Sequence, residues 1–582
     1  MKFFDFIKGF FIFTIKEIYS FFLKLMLVIG VLVIIILVLA SSAKNFVEQK
    51  EAVSKNYSYV ILNPYDPTED KINNKLFSNS KYNMNFHELV ESVDYIAKDP
   101  KIKGVIINLD QISLNSTQIE ELIPKLNNIK KSGKKIYAYG TYIDNNKYSL
   151  AVNANEIIMI PSSSANLSVT GYHYSDLYYK NLFDKIGVDF KVIHIGDFKS
   201  YGENYTKAAM SEELKGELTR ILDRRLDLFA DRTSKARKID KTKLMNNILN
   251  GDSTFLTPFK ARDLGFIDKL EYSGQMFQRL GIKDGDTIDI YDYTTKIDIP
   301  EKKNKIALLY AEGPILYDEQ TGNTIAITPD NIAEKIKQLR KIPNLKGVVL
   351  RINSPGGSAL SAEVIYQMFE ELHVPVYVSM GSTAASGGYY IAMAGDKVFA
   401  DSSTITGSIG VVSVIPKFEK TANNLGINSS GITKGKYTDI YDPFVNLSDE
   451  SAEKLRGSML DTYKEFKSRV EKNRGISSDK LENYAQGRVW LGDEAKQIGL
   501  VDEIGSLDDT INALAKDLNI TNYSVQEIFI SEDYNKFLQR ISNLISNNIT
   551  VMDIPRIQSE LEFLKQNSVK PLYYLPYNLN TQ

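Results

Sequence analysis

Ser386 stands on a glycine turn, in Met380-Gly-Ser-Thr-Ala-Ala-Ser-Gly-Gly-Tyr-Tyr-Ile-Ala392, after the apolar run Val374-Pro-Val-Tyr-Val-Ser-Met380. That run has strand composition, and the small and apolar residues from Tyr389 to Ala394 suit the start of a buried helix. Ser386 is therefore expected at a strand-to-helix junction, with Gly387 and Gly388 letting the backbone turn tightly. The unsatisfied N–H groups of a helix start favour negative charge, and attack of a hydroxyl on a carbonyl generates such a charge. A packing turn has the same composition, so this stretch alone leaves nucleophile and packing readings open. Lys346-Gly-Val-Val-Leu-Arg-Ile-Asn-Ser-Pro-Gly-Gly-Ser358 reads as a buried strand entering a second glycine turn, then a helical pattern from Ala359 to Leu372. Glycines after a strand allow close approach of a ligand and supply N–H donors, the ingredients of an oxyanion hole.

A serine hydroxyl is a weak nucleophile until a neighbouring base takes its proton. The histidines are His87, His173, His194 and His373. Only His373 is near the motif in sequence, and it precedes the strand, at the end remote from Ser386. The other base available is a lysine whose ammonium form is destabilised by burial, leaving a neutral amine. Thr433-Lys-Gly-Lys-Tyr-Thr-Asp439 offers Lys434 and Lys436, and His194-Ile-Gly-Asp-Phe-Lys-Ser200 offers Lys199. Read on its own, Lys199 is one of 70 basic residues and suits a surface position as well as a site.

The elements that position these residues are written twice. Asp99-Pro-Lys-Ile-Lys-Gly-Val-Ile-Ile-Asn-Leu-Asp110 echoes Ile342-Pro-Asn-Leu-Lys-Gly-Val-Val-Leu-Arg-Ile-Asn353. Tyr148 to Ile160 echoes Tyr389 to Asp401, and Lys260-Ala-Arg-Asp-Leu-Gly-Phe-Ile-Asp268 echoes Glu494-Ala-Lys-Gln-Ile-Gly-Leu-Val-Asp502. Each copy alternates short apolar strands with helical patterns such as Thr117 to Lys131 and Asp330 to Arg340, which indicates an α/β domain with a largely parallel sheet. The copies differ where chemistry would occur. Aligned on Gly140 and Gly381, Ser386 falls opposite Asn145; aligned on Gly104 and Gly347, the Ser-Pro-Gly-Gly turn falls opposite Gln111-Ile-Ser-Leu114. Aligned on Gly196 and Gly435, Lys199 falls opposite Thr438. The first copy lacks both glycine turns and is not an independent copy of the same site.

At 582 residues two or three domains are expected, with a polar junction at Ile299-Pro-Glu-Lys-Lys-Asn304. We read a segment 1–24, an anchor 25–43, an α/β repeat 55–300, a second repeat 303–520 and an extension 521–582. The anchor is the uncharged stretch Leu25 to Ala43 between Lys24 and Lys44, long enough for a ~30 Å bilayer core. Lysines before it outnumber acids, which orients residues 1–24 to the cytoplasm and the bulk of the chain outside. Ser41-Ser-Ala43 would alternatively serve a signal peptidase, and Phe3 to Phe22 suits an amphipathic segment on the inner surface. A net charge of −2 gives no reason to expect nucleic acid, and the absence of cysteine excludes thiol catalysis, disulfides and cysteine zinc sites. No cofactor or metal is expected. Trp490 reads as core packing, and the role of the extension, with its helical pattern Phe537 to Ile549, is not legible.

The pair Ser-Pro-Gly-Gly and Ala-Ser-Gly-Gly, one strand–helix unit apart, resembles the serine peptidases of the Clp-protease and crotonase superfold. With Thr406-Gly-Ser-Ile-Gly410 and Gly487-Arg-Val-Trp-Leu-Gly492 in the expected order, the resemblance narrows to the signal peptide peptidase A, or protease IV, family in its long, two-domain form. It covers roughly residues 55 to 520 and implies a tandem repeat of two Clp-protease/crotonase-like domains behind an N-terminal transmembrane helix. It implies that Ser386 is the nucleophile and that Lys199, in the family's Gly-x-x-Lys-Ser context, is the general base. Lys434 and Lys436 follow as alternatives, because short-form relatives take the lysine from the serine's own domain. Ser408 matches the serine that orients the lysine, although it also suits a plain turn. Gly356, Gly357 and Gly387 are the expected sources of oxyanion N–H groups. The implied substrates are released signal peptides and other unfolded apolar peptides, cut by a homotetramer on the outer, periplasmic side of the bacterial cytoplasmic membrane. Two rivals are a crotonase-like acyl-thioester enzyme and a non-catalytic membrane-anchored scaffold.

Overall fold

The first repeat builds a parallel sheet from Tyr59–Leu62, Gly104–Asn108, Lys135–Gly140, Glu156–Met159, Lys269–Leu270 and Thr287–Asp289. This computed structural model describes residues 57–71, 84–317, 326–530 and 572–575. The second repeat builds its sheet on Asn304–Glu312, Leu345–Ser354 and Val376–Ala385, with Lys397–Ala400, Ile405–Gly407, Glu503–Ile504 and Tyr523–Ile528 also parallel to their neighbours. Among the described strands of this sheet only Val489–Leu491 runs antiparallel, against Ile405–Gly407. The central strands are buried on both faces, as their continuous Val, Ile, Leu and Ala runs require. The sheet extends past the expected limit at 520, because Tyr523–Ile528 covers the edge of Asn304–Glu312 that would otherwise expose its backbone groups. The junction at 299–303 is exposed, as its polar composition predicts.

The internal repeat persists at the level of single hydrogen bonds. Tyr148 Oη donates to Phe266 O at 2.9 Å, and Tyr389 Oη donates to Leu500 O at 2.7 Å. Asp268 Oδ2 accepts from Ile157 N at 2.7 Å, and Asp502 Oδ2 accepts from Val398 N at 2.8 Å. Arg237 and Arg474, each in the last turn of a 26-residue helix, bind Asp268 and Asp502 in the same way. The aligned residues thus perform the same structural task in both copies.

The copies are joined by backbone and by charge. Asp189–Ile195 of the first repeat pairs antiparallel with Val411–Lys417 of the second, in a small sheet that also holds Gly356–Ser358 and Leu572–Tyr574. Elsewhere Arg351, on a central strand of the second repeat and fully buried, binds Glu69 of the first repeat at 3.0 and 3.1 Å. It binds Glu121 at 2.5 Å and Ser379 Oγ at 2.9 Å. Among the described residues no helix is long and apolar enough to cross a membrane. The expected anchor 25–43, the amphipathic segment and the pattern 537–549 lie outside the described residues.

Removing one partner of a buried charge cluster leaves the others without compensation. Arg351→Ala should therefore lower the unfolding free energy by about 3–5 kcal/mol, read as a shift of the urea midpoint. A midpoint unchanged from wild type would show that the cluster does not clamp the repeats.

Candidate active site

Val376–Ala385 ends at Ser386, and the buried helix Gly387–Ala392 begins at the next residue. Ser386 has φ 54° and ψ −114°, a region that costs a non-glycine residue on the order of 1–3 kcal/mol. Two hydrogen bonds hold it there: Ser386 N–H to Gly407 O and Tyr390 N–H to Ser386 O, both at 2.8 Å. Its side chain makes no helix-capping bond, so the hydroxyl is left for another partner.

That partner is Lys199, delivered by the strand that crosses between repeats. Asp189–Ile195 ends with Ile195 opposite Val411, and the chain turns at Gly196 so that Phe198 N–H binds Gln486 O at 2.9 Å. Lys199 Nζ then lies 2.7 Å from Ser386 Oγ, 2.9 Å from Ser408 O and 2.9 Å from Ser408 Oγ. Lys199 is 3% exposed, Ser386 0% and Ser408 1%. Burial holds the Lys199 amine well below the ordinary lysine range, with no neighbouring carboxylate to offset it. A neutral amine has two N–H groups and one lone pair, which matches three uncharged oxygen neighbours. Such an arrangement can accept the Ser386 hydroxyl proton while Ser408 holds the amine in place.

Two residues beyond the expected set build this contact. Gly487 has φ +83°, and a Cβ on it would lie 2.5 Å from Lys199 N, so only glycine lets the two segments touch. Its N–H binds Ile409 O at 2.7 Å, and Ser408 N–H binds Arg488 O at 2.6 Å, so one strand entry fixes both Lys199 and Ser408. Arg488 also lies over the Phe198 ring at 3.5 Å and binds Glu217 at 2.9 Å. Gly487 was present in the Gly-Arg-Val-Trp-Leu-Gly run, but a role at the lysine has no local signature.

Of the expected N–H donors, Gly387 opens a helix and so has no intrahelical acceptor. Gly356 N–H is bound by Ser354 Oγ at 3.1 Å, and Gly357 faces the strand Leu572–Tyr574. Gly357 has φ +153° and would place a Cβ 2.0 Å from Ile315 O, which explains the glycine there. The corresponding place in the first repeat is filled differently. Asp144 caps the helix Asn145–Ala151 by accepting Lys147 N–H at 2.9 Å, putting a fixed carboxylate where a developing anion would need room. Asn145 is turned to Thr170, with bonds of 2.8 and 2.9 Å.

The other candidate bases are elsewhere. His373 is exposed and separated from Ser386 by a ten-residue strand, about 30 Å at the usual rise. Lys434 and Lys436 are exposed, and Lys436 pairs with Glu450 at 3.1 Å. Trp490 is half-buried against the core, donating to Tyr484 O at 3.0 Å. A cleft of about 680 Å³ opens beside Lys199, lined on one part by Phe190, Val192 and Phe198 and on another by the charged Asp197, Glu203, Lys207 and Glu213, a size suited to a peptide side chain or two.

A serine on a strand-to-helix turn beside a glycine turn, in two parallel-sheet repeats, defines the class of Clp-type α/β serine peptidases, and residues 300–408 match the Clp protease model. Residues 128–285 and 369–521 match the model of peptidase family S49, one match in each repeat, and the chain belongs to that family. It is 30% identical to Protease 4 of Haemophilus influenzae over 483 residues, covering 79% of this chain and 77% of the relative. It is 31% identical to the chloroplastic serine protease SPPA of Arabidopsis thaliana, over 77% of this chain and 67% of the relative. A shorter relative in Enterococcus faecium, named "Putative signal peptide peptidase SppA", is 33% identical over 38% of this chain and 66% of its own length.

The buried lysine has a thermodynamic signature. Its folded proton affinity is lowered, so between the folded value and the ordinary ~10.4 the unfolded chain binds a proton that the folded chain does not. Stability then rises with pH through that window, by at most about 1.4 kcal/mol per pH unit. Lys199→Met should lack this rise, so wild type gains on the variant from neutral pH towards pH 10 in urea titrations. Parallel pH profiles for the two proteins would mean that the amine is charged in the folded state.

Proposed function

We propose that the protein is a membrane-anchored serine endopeptidase with a Ser386/Lys199 dyad, acting on signal peptides left in the bilayer after their release. The observation that carries this reading is the 2.7 Å approach of a fully buried lysine amine to a serine hydroxyl held on a strained turn. Lys199, as a neutral amine, takes the Ser386 proton while Oγ bonds to the peptide carbonyl carbon. Gly387 and Gly357 N–H groups receive the oxyanion, with Gly356 holding the turn that presents them. The Lys199 ammonium then protonates the leaving amine as the C–N bond breaks, leaving an ester on Ser386. Water gives a proton to the same amine, its oxygen attacks the ester, and collapse returns the proton to Ser386 with release of the carboxylic product. Ser408 is the residue that orients the amine throughout.

The substrate class rests on the family. The anchor at 25–43 would keep the repeats against the outer face of a bacterial cytoplasmic membrane, where apolar peptides accumulate. A homotetramer enclosing the sites would exclude folded proteins.

Ser386→Ala and Lys199→Ala should each lower kcat on an unfolded peptide by about 10⁴-fold, with the double variant no worse, because the pair acts as a unit. Lys199→Arg should not rescue, since guanidinium stays protonated. The rate should rise with pH, because the base is the neutral amine, with a midpoint below that of free lysine. Near-normal turnover by Lys199→Ala would remove the dyad. For the anchor, protease added to intact spheroplasts should reach residues beyond 44; protection until permeabilisation would reverse the orientation.

A further inference from the structure

Ser386 is placed by a break in the strand before it. Val376–Ala385 runs beside Leu345–Ser354 with Ile352 opposite Met380, but with Ser354 opposite Ala384. Asn353 alone therefore faces Gly381, Ser382 and Thr383, which form a bulge. At the same bulge the strand changes partner on its other side. Residues 377–380 pair with Lys397–Ala400, whereas residues 383–385 pair with Ile405–Gly407. Ile405–Gly407 runs directly into Ser408, and Ser386 N–H binds Gly407 O at 2.8 Å. The pairing beyond the bulge thus sets Ser386 beside Ser408, the two serines that meet the Lys199 amine. Bulges next to active sites re-aim side chains in this way.

The side chain of Asn353 holds the bulge. Its Oδ1 accepts from Ser382 Oγ at 2.9 Å and from Thr383 N–H at 3.2 Å, where the bulge interrupts the ladder. A Cβ on Gly381 would lie 3.1 Å from Asn353 Cβ, so the glycine leaves room for the amide. From the neighbouring strand, Thr404 Oγ1 donates to Gly381 O and Thr406 Oγ1 to Ala384 O, each at 2.8 Å. The first copy holds the same bend with the aligned residue. Asp110 Oδ1 accepts from Thr141 N–H at 2.8 Å and from Thr141 Oγ1 at 2.9 Å. There too the chain changes partner, from Glu156–Met159 to Asn166–Leu167. What the two copies share at this position is a side-chain acceptor.

We infer that Asn353 is a positioning residue of the peptidase, its Oδ1 fixing the bulge that carries Ser386 to the Lys199 amine. This rests on the peptidase reading above and adds to it a residue that acts through the strand. A misplacement of ~1 Å in a reacting group costs about 10²-fold in rate. Asn353 is half-buried and lies outside the apolar core, so its truncation leaves the sheet folded.

The test is the full chain with Asn353→Ala and, separately, Asn353→Asp, assayed on a fluorogenic unfolded peptide. The expected result for Asn353→Ala is a kcat about 10²-fold lower, with KM and melting temperature unchanged. Asn353→Asp keeps the acceptor, as Asp110 does, and should recover kcat to within about tenfold of wild type, the remainder reflecting its added charge. Near-normal kcat in Asn353→Ala overturns the inference. So does a loss that brings a raised KM and a lower melting temperature and is not recovered by Asp, which marks a residue needed only for the fold. Crystal structures of the two variants read the position without turnover. The Lys199 Nζ to Ser386 Oγ separation should pass beyond hydrogen-bond distance in Asn353→Ala and stay near the wild-type 2.7 Å in Asn353→Asp. A lengthened separation in Asn353→Ala supports the inference even if no form of the protein cleaves peptide, in which case the peptidase reading alone fails. An unchanged separation overturns it whatever the activity.

Discussion

Burying a lysine amine without a counter-ion is the constraint on which the remaining structure turns. Desolvation penalises the ammonium, so the amine stays neutral only if the surrounding packing is rigid enough to keep water and carboxylates away. Here the enclosure is made from backbone as much as from side chains. Gly487 closes on Lys199 N, Phe198 N–H is tied to Gln486 O, and Ser408 N–H is tied to Arg488 O. The lysine needs no carboxylate partner because its three neighbours are uncharged oxygens at hydrogen-bond distance.

The site is divided between the two copies. Lys199 comes from the first repeat, just after a strand paired with Val411–Lys417, so the amine meets Ser386 while Leu350, Val378 and their neighbours go on filling the core of the second sheet. The cost is that the repeats must be held in register, and the Arg351 cluster with Glu69 and Glu121 supplies a second fixed point far from the strand pair. The first copy in turn has no need of an anion site, and Asp144 occupies the helix start that Ser386 leaves uncapped in the second.

What was legible in the sequence divides along the same line. Ser386 at a strand-to-helix turn, both glycine turns and the tandem parallel sheets are encoded in contiguous residues, and all appear where the spacing predicts. Lys199 was legible only through its place in the repeat and the family's context, since burial of a side chain is set by residues hundreds of positions away. Gly487 beside Lys199 and Arg351 between the repeats were missed for that reason. Each is an ordinary local residue whose meaning is its partner. The limit placed at 520 fell short because Tyr523-Ser-Val-Gln-Glu-Ile is a short strand whose only signal is alternation, and its role is set by an open edge at Asn304–Glu312.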